Sequence, residues 1–241
     1  MKHPTPRLLH CGDRALVIEF GDSIDPALND RVLTLDQLVA GERIAGVSET
    51  VPTYRSLLVH YDPTIVGHAE LGAKLLALAL VEGVPVPPGR HWLVPVIYGG
   101  EFGIDLQAVA ERHNMTTQEV IARHSGGNYR VYMLGFLPGY TYLGGLDPAL
   151  ATPRRQDPRL ETPAGSVGIG GVQAGIQCIA APSGWHLLGR TPVRTYHPHR
   201  RPIFLIEPGD HVTFLPLPAS EWEALDRAAE RGEVVAELIE G

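Results

Sequence analysis

Lysine is nearly absent from this chain: of its 20 basic residues, only Lys2 and Lys74 are lysines and the remaining 18 are arginines. That scarcity excludes whole classes of site. A phosphate-binding P-loop needs a lysine after its glycine-rich turn to reach the terminal phosphates, and no glycine run here is followed by one. Nucleophilic serine chemistry with a lysine base fails for the same reason. Cysteine is limited to Cys11 and Cys178, too few for a disulfide framework and suited to a reducing compartment, with a single bridge between them left open. Long apolar runs are missing as well. The greasiest helical stretch, residues 71–81, is interrupted by Lys74 and is too short to cross a bilayer, and residues 1–7 lead into no continuous apolar segment. The expectation is a cytoplasmic protein that engages no membrane. A basic surplus is also lacking, since the net charge is -7, and this argues against general nucleic-acid binding.

What the chain does have is a fold-competent composition, 44% hydrophobic and 20% charged over 241 residues, and a peculiar middle. Thirteen of the 27 glycines lie between Gly126 and Gly189. A stretch so punctuated and still apolar is a tightly turned barrel, a binding face, or both. Over residues 150–201 there are seven arginines against two acids, a local +5 that leaves -12 for the rest. Arginine's rigid donor fork suits carboxylates and phosphates, so one reading is an anion site. The rival reading is a genome rich in arginine whose side chains pair or lie along the surface.

The pattern of apolar residues divides the chain in two. Residues 1–84 read as a small α+β domain in the order strand, strand, helix, strand, strand, helix. The strands fall at 8–10, 15–20, 47–51 and 56–61. One helix opens at Pro26, carries Leu28, Val32, Leu35 and Leu38, and stops at Gly41, while the other covers 68–81. Residues 85–89, proline- and glycine-rich, read as a linker. Residues 90–241 then form a mainly β domain. It begins with a strand over 91–98, a helix over 106–113, and a second helix started by a capping box at Thr116 and Glu119 and running to about His124. Short apolar segments broken by glycine and proline follow, the signature of a closed barrel. A strand pair over 204–206 and 211–215, turning at Pro208-Gly209-Asp210, and a charged helix over 220–240 complete the expectation.

Several motifs carry chemistry if the fold allows. Gly168-Ile169-Gly170 fails the dinucleotide fingerprint, because Gln173 stands where its third glycine belongs. Ser166 and Ser183 serve as nucleophiles only if a base is delivered to them, and otherwise satisfy turns. His197-Pro198-His199 brings two imidazoles together without a third ligand at recognisable spacing, so no metal is expected. His124, at a helix end, is an acid or base, or a capping or core histidine. Phe136, Tyr140, Tyr142 and Trp185 are either the apolar wall of a pocket or barrel core. Paired carboxylates are missing from the glycine-rich run, against glycosidase-like catalysis.

The segments Tyr129-Arg130-Val131-Tyr132-Met133-Leu134-Gly135-Phe136-Leu137-Pro138-Gly139, Pro163-Ala164-Gly165-Ser166-Val167-Gly168-Ile169 and Gly184-Trp185-His186-Leu187-Leu188-Gly189-Arg190-Thr191-Pro192 resemble the family of 5-oxoprolinase B subunits, also labelled allophanate hydrolase subunit 1 and sporulation-kinase inhibitor. Tyr142-Leu143-Gly144-Gly145-Leu146-Asp147 and Thr152-Pro153-Arg154-Arg155 extend the likeness, as does Val51-Pro52-Thr53-Tyr54-Arg55 nearer the N-terminus. The resemblance implies an α+β N-terminal domain followed by a cyclophilin-like barrel. It also implies a protein that works with a larger homologous subunit and a third protein in ATP-dependent cleavage of 5-oxoproline to glutamate. ATP, together with Mg, is then the co-substrate of the complex, and no biotin is carried on this chain. Under that reading His124, Arg154 and Gln173 are the catalytic candidates. Phe136, Tyr140, Tyr142, Arg155, Ser166, Trp185 and Arg190 are the candidates for substrate or nucleotide binding. The family also implies two alternatives, a module that restrains a histidine kinase and the carboxyltransferase half of a urea-carboxylase-like system. This chain departs from the family pattern at Val172, Ala174, Gln177 and Cys178, and has His186 where glutamine is usual, Ser183 for glycine and His197 for aspartate.

Overall fold

The computed structural model describes residues 5–84 and 88–239, and its contacts divide the chain into two compact units, 1–88 and 89–241. The middle of the expected linker, Pro85-Val86-Pro87, lies outside the described residues.

In the first unit, strands β1 (Arg7–His10), β2 (Ala15–Glu19), β3 (Val47–Pro52) and β4 (Ser56–Tyr61) form an antiparallel sheet in the order β1-β2-β4-β3. Alternation puts Leu16, Ile18, Leu57, Val59 and Tyr61 on one face, and two helices cover it. Helix α1 (Pro26–Glu42) starts where the Asp25 carboxylate accepts from the Ala27 amide at 2.7 Å, with Pro26 in the first turn. It buries Leu28, Val32, Leu35 and Val39 at helical spacing, and it ends at Arg43 in the left-handed region rather than at the expected Gly41. Helix α2 (His68–Ala79) buries Leu71, Leu75 and Ala79.

The second unit is a closed seven-strand barrel. Strands β5 (His91–Tyr98), β6 (Tyr129–Leu134), β7 (Thr141–Gly144), β9 (Ser166–Gly170), β10 (Gln173–Ile176), β12 (His186–Arg190) and β13 (His211–Pro216) run in the order β12-β9-β10-β7-β6-β13-β5, and β5 closes back on β12. An odd number of strands cannot close on antiparallel pairs alone. One pair, β5 with β13, is parallel. Two further strands, β8 (Arg159–Thr162) and β11 (Ala181–Ser183), form a separate ribbon. Helices α3 (Leu106–Arg112) and α4 (Thr117–Ser125) follow β5, and α4 opens on the complete Thr116/Glu119 capping box. Val94, Val96, Val131, Leu143, Val167, Ile169, Ala174, Ile176, Leu188, Val212 and Phe214 fill the interior. Each fully buried Val, Leu, Ile or Phe of this set contributes about 1.5–3 kcal/mol relative to exposure.

The order α+β unit, then mainly β barrel, is the one the sequence patterning points to, but two elements differ. Residues 204–206 do not pair with β13, because β13 is already held by β5 on one side and β6 on the other. Phe204 makes only an isolated bridge to Tyr196. The turn before β13 is held instead by the buried Asp210 carboxylate, which accepts from the Arg90 guanidinium at 2.7 Å and 3.2 Å, the Trp92 indole at 3.0 Å and the Glu207 amide at 3.0 Å. The C-terminal segment is helical only over a 3-10 turn (Ala219–Glu221) and α5 (Trp222–Glu230). Gly232, at φ 88°, turns the chain away, and β14 (Glu237–Ile239) adds to the part of the β5 edge that β12 leaves open.

Candidate functional site

The register of β9, β10 and β7 decides which residues meet outside the barrel. Val167 pairs with Ile176, and Ile169 with Ala174, and these point into the core. Gly168, Gly175 and Tyr142 therefore lie across from one another on the outer face, as do Gly170 and Gln173. The outer face is thus bare of side chains at its centre, and an indole occupies the space. A Cβ on Gly170 would stand 2.9 Å from Trp185 Cδ2, and one on Gly175 would stand 3.3 Å from Trp185 Cζ3 and 3.0 Å from Tyr140 Oη. Only glycine lets Trp185 lie this close to the sheet.

Around Trp185, which is 7% exposed, the rings of Tyr140 and Tyr142 stand edge-on at 6.1 Å and 6.2 Å and contact each other at 4.7 Å. Phe136 meets Tyr140 edge-on at 5.8 Å, is 65% exposed, and holds φ at 66°, a left-handed backbone that an aromatic residue adopts only at a cost. Arg154 completes the group. Its stem lies over Gly170 and its guanidinium carbon sits 5.4 Å from the Trp185 ring centroid. Burial raises the Tyr142 phenol above its ordinary value, and the Arg154 charge nearby opposes that rise.

The strap that carries Arg154, residues 152–155, is pinned at both ends. Thr152 exchanges two backbone hydrogen bonds with Gly171, at 3.0 Å and 2.6 Å. On the other side the Arg155 amide donates to the Gly184 carbonyl at 2.8 Å, and the His186 imidazole donates through Nε2 to the Pro153 carbonyl at 2.9 Å. Below the strap, Asp105 is 6% exposed and takes a bidentate pair from Arg159, at 2.6 Å and 2.9 Å, and the Leu187 amide at 2.8 Å. Arg155 approaches the same carboxylate at 3.6 Å.

Charge pairing separates the arginines. Of the seven in residues 150–201, Arg155 and Arg159 lean on Asp105, and Arg194 pairs with Asp226 at 2.6 Å. Arg190 lies 4.6 Å over the Trp222 ring and donates to the Ala164 carbonyl at 3.0 Å and 3.2 Å. Arg200 and Arg201 are spent on backbone carbonyls of their own loop. Arg154 has no carboxylate partner among the described residues and stands on an aromatic surface.

The structure therefore brings together Arg154, Gln173, Phe136, Tyr140, Tyr142 and Trp185. It places the other sequence candidates elsewhere. His124 is fully buried in the core, where Tyr98 Oη lies 2.7 Å from Nδ1, Phe214 stacks at 4.8 Å, and Nε2 finds no partner among the described residues. Burial lowers its pKa to about 3, so it stays neutral. Ser166 is 2% exposed and donates to the Pro163 carbonyl at 2.7 Å. His197 and His199 face each other with ring centroids at 6.1 Å, and no group of three metal-ligating side chains occurs among the described residues. Lys74 pairs with Glu42 at 2.9 Å on α2. Cys11 and Cys178 are both free thiols. Sequence reasoning missed Asp105 and His186 as parts of the site, since both act on partners dozens of residues away. At the altered positions, Gln177 is buried and its amide donates to the carbonyls of Thr162, Ile179 and Ala181, tying the β8–β11 ribbon, while Val172 is an exposed turn residue.

The family model described as "Carboxyltransferase domain, subdomain C and D" matches residues 6–206. The chain belongs to that family. Within the carboxyltransferase C/D family it is 36% identical over 225 residues to the 5-oxoprolinase B subunit of Bacillus subtilis (strain 168), covering 88% of this chain and 93% of that protein. It is 37% identical over 214 residues to the 5-oxoprolinase B subunit of Escherichia coli O157:H7, covering 85% and 93%. The resemblance carried by its motifs thus holds over most of its length. Among solved structures it is similar to TTHA0988, with TM-score 0.76 and 37% identity over 86% of this chain, which spans 40% of that longer one. Urea carboxylase of Kluyveromyces lactis shares the fold, with TM-score 0.81 at 21% identity, over 99% of this chain and 24% of that enzyme. No helix among the described residues is long and apolar enough to cross a membrane.

Proposed function

We propose that this chain is one subunit of an ATP-dependent 5-oxoprolinase, opening the lactam of 5-oxoproline to give L-glutamate. It acts in the cytoplasm with a larger homologous subunit and a third protein, and is inactive alone. The observation that carries this reading is Arg154, a guanidinium without a carboxylate partner among the described residues, held over Trp185 beside Tyr140 and Tyr142. 5-Oxoproline combines a carboxylate with a flat amide. Arg154 matches the first and the aromatic surface the second. The names of the relatives support the same substrate.

Among the described residues the site offers recognition without a nucleophile hydrogen-bonded to a base, which suits a subunit that completes a site on a partner. Opening an unstrained lactam in water is difficult, and coupling to phosphoryl transfer from ATP supplies the driving force. No P-loop lysine stands in this chain, so the nucleotide falls to another subunit in this reading. In this reading Gln173, across from Gly170 on the same outer face, hydrogen-bonds the amide of the substrate.

Reconstitution with the larger subunit and the third protein tests the proposal. Glutamate should appear only when ATP and 5-oxoproline are both present. A complete complex that releases none would overturn it.

A further inference from the structure

We propose that His10 and His68, in the first unit, form an open binding site for a divalent transition-metal ion such as zinc, copper or nickel. The two rings come from different elements, His10 from the end of β1 and His68 from the start of α2, and they stack with centroids 4.0 Å apart and planes at 26°. Their Nε2 atoms stand 3.2 Å apart. Two bare imidazole lone pairs repel at that distance, so something positive lies between them, a hydrogen in the metal-free pair or a cation in its place. Zinc holds imidazole nitrogens at about 2.0–2.1 Å, and at the tetrahedral angle two of them stand about 3.3–3.4 Å apart, close to the spacing of this pair. The surroundings suit the exchange. Tyr61 Oη lies 3.3 Å from His68 Nδ1. A hydroxyl both donates and accepts, so it keeps this bond when the hydrogen of His68 moves, through solvent, from Nε2 to Nδ1 and leaves Nε2 bare for the ion. His10 is exposed and its ring makes no other hydrogen bond among the described residues, so it can turn its lone pair toward the ion. No third metal-ligating side chain joins the pair among the described residues, so water completes the coordination and the bound ion exchanges. Imidazole suits zinc, copper and nickel, whereas magnesium and calcium prefer oxygen ligands.

Titration of the full chain with zinc chloride, followed by nitrogen NMR of histidine-labelled protein, tests the site. The Nε2 signals of His10 and His68 should move first and together, and magnesium at the same concentration should move neither. Zinc binding should weaken roughly tenfold or more in His10→Ala and in His68→Ala, and roughly tenfold in Tyr61→Phe, which removes only the supporting hydroxyl. A urea midpoint measured without zinc shows that each variant is folded. The site would be refuted by zinc shifts that appear first at other histidines, by separate titration of His10 and His68, or by binding that survives either alanine substitution. Silence of both signals at a millimolar excess of zinc would refute it equally, and matching shifts with magnesium would overturn the class of ion.

Discussion

Replacing Arg154 by alanine tests the proposed role of the one arginine in the arginine-rich stretch that has neither a carboxylate nor a carbonyl partner among the described residues. Its structural ties are few: a ring contact with Trp185 at 5.4 Å and a stem over Gly170. A cation–π contact at an exposed site contributes about 0.5–1 kcal/mol, so the barrel should lose no more than that. The strap keeps its four other hydrogen bonds, to Gly171, Gly184 and His186. Against a carboxylate the loss is larger, because a hydrogen bond to a charged group is worth about 1.5–3 kcal/mol and the guanidinium fork can make two. We expect kcat/KM of the reconstituted complex to fall by about 10²- to 10³-fold, while urea denaturation shows a stability loss of no more than about 1 kcal/mol. Arg154→Lys should recover only part of the loss, since a point charge replaces a planar fork. Wild-type turnover by Arg154→Ala would refute the reasoning and leave Arg154 a surface residue.

The buried Asp105 should behave in the opposite way. Asp105→Ala strands Arg159 and the Leu187 amide, and should destabilise the barrel unit by about 2–3 kcal/mol after allowance for the partial exposure of Arg159, read as a drop in denaturation midpoint. Gly170→Ala places a methyl 2.9 Å from the Trp185 ring, so it should cost about 1–3 kcal/mol of stability and shift Trp185 fluorescence, an outcome contradicted by an unchanged emission spectrum. His124 titrates near pH 3 in the native state and near 6.5 when unfolded, so protons favour the unfolded chain between those values. Stability should therefore fall on acidification below about pH 6.5, by up to about 1.4 kcal/mol per unit from this group. His124→Phe should flatten that slope in urea titrations run from pH 7 to 4, and a slope unaltered by the substitution would remove His124 as its source.

Much of the fold is legible in the order of the residues. The two-layer α+β unit, the capping box at Thr116 and the barrel follow from signals within ten or so residues: alternation, helical spacing, glycine and proline. Such signals act locally, so the sequence alone expresses them. The segments that depart from expectation are those where a local pattern meets a tertiary competitor, as when the barrel edge at β5 captures residues 237–239, which carry a charged helical pattern. The site is half legible. Phe136, Tyr140, Tyr142 and Trp185 stand out by type, but barrel core and binding wall cannot be told apart from order in the chain. Register sets the face, by turning Gly170, Gly175 and Tyr142 outward while Ile169 and Ala174 turn in. Nor can the sequence choose among seven arginines. That choice is made by pairing across long chain separations, Arg159 with Asp105 and Arg194 with Asp226, which neutralises some and leaves Arg154 over its aromatic floor. Composition determined that a local surplus of positive charge exists, and only the tertiary structure decided which of these charges is paired and which is not.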